Sequence, residues 1–231
     1  MSLFPIESVD TDGAIRDAEA AVAGDTRAAF FRKAAIGGGA VLGSSAIMGM
    51  LPELASAKPS KKQDLAILNF ALTLEYLESA FYDEAVASGK LSGEPLAFAK
   101  LVAIHEAAHV KALKATIKGL HGKPVARPTF DFKGTTQDQS KFIGTAFVLE
   151  NTGVHAYLGQ AGNLKSKALL AAAASIVTIE ARHASAIALI QAANPYADAS
   201  AGSITPDGAF DIAYSKSKIL KAVGATGFIT G

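Results

Sequence analysis

The chain has 231 residues, 50% of them hydrophobic and 19% charged, with a formal net charge of +1 and no cysteine. That length suits one compact domain with appendages. The lack of cysteine excludes disulfides, thiolate zinc sites, Fe–S clusters and cysteine nucleophiles, and the near-neutral charge gives no electrostatic case for a nucleic-acid partner. Any metal must sit on carboxylates and the five histidines.

Residues 1–57 read as a leader. Arg27, Arg32 and Lys33 form a basic patch, an apolar run covers 34–51, and Ala55-Ser56-Ala57 places small residues for cleavage before Lys58. The segment Thr26-Arg27-Ala28-Ala29-Phe30-Phe31-Arg32 resembles a twin-arginine export signal whose second arginine is missing. Export to a periplasmic or extracellular space is the expectation. A membrane tether through 34–51 and an apolar packing helix are the alternatives. The run is rich in Gly and Ser, which makes a poor membrane-spanning helix.

From residue 58 to 197 the pattern is that of four helices, followed by a tail over 198–231. Residues 64–87 put Leu65, Leu68, Ala71, Leu72, Leu74, Leu77 and Phe81 on a helix-period stripe. Gly89 and Ser92-Gly93 break it, and Pro95 suits the first turn of a second helix over 95–120. A third opens at Thr135, with Asp138 completing a capping-box-like start, and runs to about Gly159. Asn163 caps a fourth over 164–193, closed by Asn194-Pro195. One short amphipathic piece lies near 210–222. The link over 122–134 can stretch to about 43 Å, against about 36 Å for a 24-residue helix. It can therefore run the whole bundle, as a bundle with one long crossover requires.

The body repeats. Glu75 precedes Tyr82 by seven residues, as Glu150 precedes Tyr157; Glu106 precedes His109 by three, as Glu180 precedes His183. The halves are offset by 75, 75, 74 and 74 residues. Residues three apart share a helix face, so each Glu-x2-His can bind one metal or reach two. Glu75 and Glu150 add a carboxylate from each remaining helix. Four carboxylates and two imidazoles are the ligand set of a carboxylate-bridged dinuclear centre. Hard oxygen plus imidazole favours two Fe or Mn ions and does not exclude zinc.

On these residues the chain resembles the ferritin-like superfamily, and Leu68-Asn69-Phe70-Ala71-Leu72-Thr73-Leu74-Glu75-Tyr76-Leu77-Glu78-Ser79-Ala80-Phe81-Tyr82 resembles its exported and desiccation-related branch. The resemblance covers roughly 62–194. It implies an all-α four-helix bundle made of two helical hairpins joined by a long crossover. It also implies that Glu75, Glu106, His109, Glu150, Glu180 and His183 are metal ligands, with Tyr82 and Tyr157 beside the site. The family's activities range over iron oxidation and storage, peroxide reduction, catalase activity and oxygenation, so fold and site transfer better than reaction.

His105-Glu106-Ala107-Ala108-His109 also matches a zinc-protease pattern, but no third ligand follows at the spacing that pattern needs. His105 and Glu78 are candidates for a supporting place around the metal, and so is His155, although five residues from Glu150 puts it at the edge of that face. Tyr76 and Arg182 have the wrong phase to ligate. The leading functional expectation is an oxidoreductase acting on oxygen or peroxide, of ferroxidase or catalase type. A catalase suits a chain without a cysteine-ligated electron-feeding module. The alternative is a non-catalytic exported bundle with a structural or stress-protective role. A homo-oligomeric storage cage is a further option; the preferred reading of the tail is instead a flap packed on the bundle.

Overall fold

Ser60 starts the first helix: its backbone is extended and its hydroxyl accepts the Gln63 N–H at 3.2 Å, satisfying a donor that the helix cannot. The structure, a computed structural model, describes residues 60–191 and 210–231. The leader, its cleavage site, the 34–51 run and the expected end of the fourth helix lie outside the described residues. The elements are α1 (Lys61–Ala87), α2 (Gly93–Gly119), a 3-10 turn (Thr135–Gln137), α3 (Gln139–Ala161), α4 (Lys167–Gln191) and α5 (Lys216–Thr226). There is no strand among the described residues, only an isolated antiparallel bridge between Phe130 and Ile229.

α1 packs chiefly on α2 and α3 chiefly on α4, giving two hairpins. The crossover between them is held at both ends of α1. Near its start, Val125 N–H donates to Asn69 Oδ1 at 2.6 Å; near its finish, the Thr136 hydroxyl donates to Glu84. Asn69 and Glu84 are separated by roughly 22 Å of helix. The crossover thus carries the chain back to the end where α1 stops, and α3 runs antiparallel to α1. Among the described residues the architecture is all-α: a four-helix bundle of two hairpins joined by a long crossover, with a short C-terminal helix beside it.

Aromatic packing fixes the crossover. Phe132 meets Phe81 edge-on at 5.3 Å, and Phe81 stacks on Phe142 of α3 at 5.3 Å, arrangements that add to the burial of each ring. The C-terminus closes over this strap: Asp131 N–H donates to the Phe228 carbonyl at 2.9 Å and Thr129 N–H to the Gly231 carbonyl at 2.9 Å. Ile219 and Val223 of α5 join the same core. At the opposite end, Lys165 N–H donates to Asp64 Oδ1 at 2.8 Å and Gln63 donates to the Asn163 carbonyl at 3.0 Å, tying the α3–α4 turn to the start of α1.

Three expected boundaries are corrected. Thr135 does not open α3: its hydroxyl donates to the Phe132 carbonyl at 2.7 Å to close the crossover turn, and Asp138 is itself the cap, accepting Lys141 N–H at 2.9 Å. Asn163 does not cap α4. Its side chain donates back to Gly159, and Ser166 takes the capping place, its hydroxyl accepting Leu169 N–H at 3.4 Å. The tail helix begins at Lys216, not near Phe210, because Ser215 supplies the cap.

Candidate metal centre

Each of the four helices sends its Glu into the bundle axis at one level. Glu75, Glu106, Glu150 and Glu180 are each 0% exposed, a cost no sequence would bear without compensating charge. The antiparallel pairing of α1 with α3 explains the Glu-x6-Tyr spacing. The Tyr82 hydroxyl donates to Glu150 Oε1 and the Tyr157 hydroxyl donates to Glu75 Oε1, each across the bundle. The other oxygen of each carboxylate is left for the histidine of its own side: Glu75 Oε2 lies 3.2 Å from His109 Nδ1, and Glu150 Oε2 lies 3.2 Å from His183 Nδ1.

The remaining two carboxylates stand between the histidines. His109 Nδ1 is 3.2 Å from Glu106 and 3.0 Å from Glu180, while His183 Nδ1 is 3.3 Å from Glu106 and 3.9 Å from Glu180. One ring N–H cannot satisfy three carboxylates. Glu106 Oε1 and both oxygens of Glu180 are accordingly buried without a hydrogen bond. Donor atoms within 4.8 Å of one another form two groups, Glu75–Glu106–His109–Glu180 and Glu106–Glu150–Glu180–His183. Glu106 and Glu180 belong to both, so they are the residues able to bridge. Orphaned buried oxygens converging with imidazoles are what a pair of divalent cations would satisfy.

Without such ions the site must hold protons instead. Burial pushes Glu75 up to about 8 and raises Glu78 and Glu180 well above the usual carboxylate range, with neighbouring carboxylates adding to the rise. Glu150 is also raised by burial. Burial acts to raise Glu106 too, but the His109 and His183 rings facing it outweigh burial and hold it at about 2. Burial would lower the histidines, yet the carboxylates around them win, lifting His109 to about 12 and His183 to about 10. Burial and Glu150 raise Tyr82, as burial and Glu75 raise Tyr157, so both hydroxyls keep their protons and remain donors.

The supporting residues divide. His105, half-buried, stands against the site, with Nδ1 2.8 Å from His183 Nε2. Glu78 is buried beside Glu180 and Glu150. His155 is the correction: it faces away from the cluster, its Nδ1 2.6 Å from the Ile212 carbonyl and its ring against Tyr214. The C-terminal segment covers the side of α3 on which it lies, which the spacing from Glu150 alone did not show. Tyr76 is buried in the lower core, and Arg182 is exposed, donating to the Thr178 carbonyl at 2.9 Å. His121, past the end of α2, is exposed. No donor group among the described residues joins His105 with His109, so the protease pattern does not assemble.

Sequence reasoning passed over Gly153. A Cβ there would meet Glu78 Oε1 at 3.2 Å and Glu180 Oε2 at 3.3 Å, so the glycine spares both buried carboxyl groups a tight contact. Its signal was present in the repeat, since Gly153 stands 75 residues after Glu78.

Four helices joined by a long crossover around paired Glu and Glu-x2-His residues are the arrangement of bundles able to bind metal ions. Residues 63–193 match the sequence profile of the ferritin-like domain, and the chain belongs to that family. Comparison with curated proteins gives no match.

Proposed function

We propose that this bundle holds two Fe or Mn ions and works as an oxidoreductase on dioxygen or peroxide. The observation that carries the reading is the pair of overlapping four-residue donor groups sharing Glu106 and Glu180. Glu75 with His109 and Glu150 with His183 would be the end ligands, and Glu106 and Glu180 the bridges. When bound, such ions supply one-electron steps between their divalent and trivalent states. Four carboxylates balance the charge of two divalent ions, which makes burial of the site tolerable.

The chain's own residues prepare that site. Tyr157 and Tyr82 each hold one oxygen of an end carboxylate and leave the other directed at the cluster, an orientation that supporting hydrogen bonds commonly fix. They also keep a proton at the edge of the site. Phe98 stands edge-on to His183 at 6.5 Å and to Tyr82 at 5.9 Å, with Phe142 on the other side of Tyr82 at 5.9 Å. This aromatic wall keeps bulk water from the ligands.

The burial of all four carboxylates also suits a second reading, a metal bound only for stability. Peroxide decay and oxygen uptake by protein reloaded with Fe(II) or Mn(II) separate the two. Turnover above that of the free ion, lost in Glu180→Ala, supports the oxidoreductase. Metal binding that raises the melting temperature without turnover of either oxidant would replace it with the structural role. Export through residues 1–57 is part of the same proposal, and a mature N-terminus beginning at Lys58 would test it; an intact leader on membrane-bound protein would favour the tether.

A further inference from the structure

The two hairpins agree at the six ligand positions and disagree beside them. Glu78 of α1 corresponds to Gly153 of α3, and His105 of α2 corresponds to Ile179 of α4, by the same offsets of 75 and 74 that relate the ligands. Both departures from symmetry fall on the side of Glu150 and His183. We infer that the two metal positions are unequal, and that the one built on Glu150 and His183 takes its ion first. This rests on the dinuclear reading above.

His105 supplies one reason. Its ring lies edge to edge with that of His183, the planes only 13° apart and the centroids 5.1 Å apart, so that its Nδ1 sits in the ring plane 2.8 Å from His183 Nε2. His183 Nδ1 faces Glu106 and Glu150. With His183 Nε2–H donating to His105, the tautomer is set and the Nδ1 lone pair is left for an ion. His109 also turns Nδ1 inward, but the residue matching His105 on its side is Ile179, which has nothing to accept an N–H. A partner that fixes a ligating imidazole is worth about 10–100-fold in metal affinity. His105 is therefore a positioning residue for one ion only.

Glu78 supplies the second reason. It brings a fifth buried carboxyl group to the side of Glu180 Oε2, the oxygen on the His183 side, where a Cβ on residue 153 would crowd both at 3.2 and 3.3 Å. The matching place beside Glu75 and His109 has no such carboxylate, because the residue there is the glycine itself. A carboxyl group close to one position gives a cation there a hard oxygen neighbour that the other position lacks.

The test is an anaerobic Zn(II) titration of protein carrying 15N-histidine, followed through the ring nitrogens, with Zn(II) as a diamagnetic probe. His183 should shift over the first equivalent and His109 only over the second, with the two affinities at least about tenfold apart. His105→Phe keeps an aromatic ring at the position and removes the acceptor, and should narrow that gap by about tenfold; His105→Gln, which retains an acceptor, should restore it. Two equivalents bound with both histidines moving together, or with His109 first, would overturn the inference and leave the dinuclear reading standing. An unchanged gap in a folded His105→Phe would overturn the role of His105. Failure to bind Zn(II), Fe(II) or Mn(II) at all would remove the dinuclear reading itself.

Discussion

α1 and α4 are of similar length, yet they live in different surroundings. α1 buries sixteen of its 27 residues and α4 only seven of 25. Composition points the other way, for α4 is the one helix among the described residues that is long and apolar enough to cross a membrane, at a mean hydropathy of 1.3. The reason lies in the neighbours. α1 is enclosed by α2, the crossover and α3, so that both flanks of its Glu75 face, at Phe70 and at Tyr76, are buried. α4 has company on one side and alanines on the other. What fastens α4 to the bundle is a narrow seam of Leu169, Ile176, Glu180, His183, Ala184, Ile187 and Ala188, and two of those seven belong to the buried polar cluster. Apolarity alone thus does not decide burial; the polar cluster anchors the more apolar helix.

The contrast can be broken first at its rigid end. Phe81→Ala removes a ring packed against Tyr82, Phe132 and Phe142 and should cost about 3–5 kcal/mol in denaturant unfolding; a loss below about 1 kcal/mol would mean that α1 is not the centre of the core. Next comes the shared pair. Glu106→Ala with Glu180→Ala removes both bridging residues, and metal affinity should fall by more than the roughly 100-fold that loss of a mere supporting partner costs. Unchanged stoichiometry in equilibrium dialysis would refute the bridging assignment.

A smaller effect is expected where the tail meets α3. A Cβ on Gly159 would come within 1.8 Å of the Tyr214 carbonyl oxygen, a backbone atom that cannot swing aside. Gly159→Ala should cost about 1–3 kcal/mol and expose residues 210–215 to protease, whereas full wild-type protection would show that the segment does not lie there. At the loose end, Leu170 of α4 is 40% exposed, and Leu170→Ser should change unfolding by no more than about 0.5 kcal/mol.

Protons give a further contrast, between the metal-free and the loaded protein. Glu75, Glu78, Glu180, His109 and His183 all bind protons more tightly folded than unfolded. Their protonated forms cost the folded state nothing below pH of about 4.5, and that advantage is lost as pH climbs through about 8 for Glu75 and on towards 10 and 12 for the histidines. Glu106, held at about 2, works in the opposite sense and only in acid. The metal-free melting temperature should therefore fall between about pH 5 and 9. Metal replaces those protons, so its affinity should rise over the same range. A metal-free protein whose stability increased towards pH 9 would contradict this charge state.

The convergence of the six residues was legible in the sequence because helical spacing is local: Glu106 with His109 and Glu180 with His183 need only a helix to share a face, and duplication supplied the rest. The Tyr82 and Tyr157 pairing was half-legible. The seven-residue spacing was plain, but that each tyrosine serves the carboxylate of the other hairpin depends on α3 running antiparallel to α1. His155 stayed a candidate at the edge of the face for a similar reason, since the group that claims it, the Ile212 carbonyl, is 57 residues away. The starts of α3 and α4 were misplaced because Thr135, Asp138, Asn163 and Ser166 are all chemically able to cap. Only the path of the crossover and the interhelix turn selects among them. Gly153 meant nothing until Glu78 was seen opposite it.

Metal stoichiometry bears most directly on the central claim of a dinuclear centre. Protein purified without chelator and reloaded anaerobically with Fe(II) or Mn(II) should hold about two ions per chain by elemental analysis. Binding no greater than that of the Glu106→Ala, Glu180→Ala variant would contradict it, and would make the buried carboxylates and histidines a proton-filled core with no metal to serve.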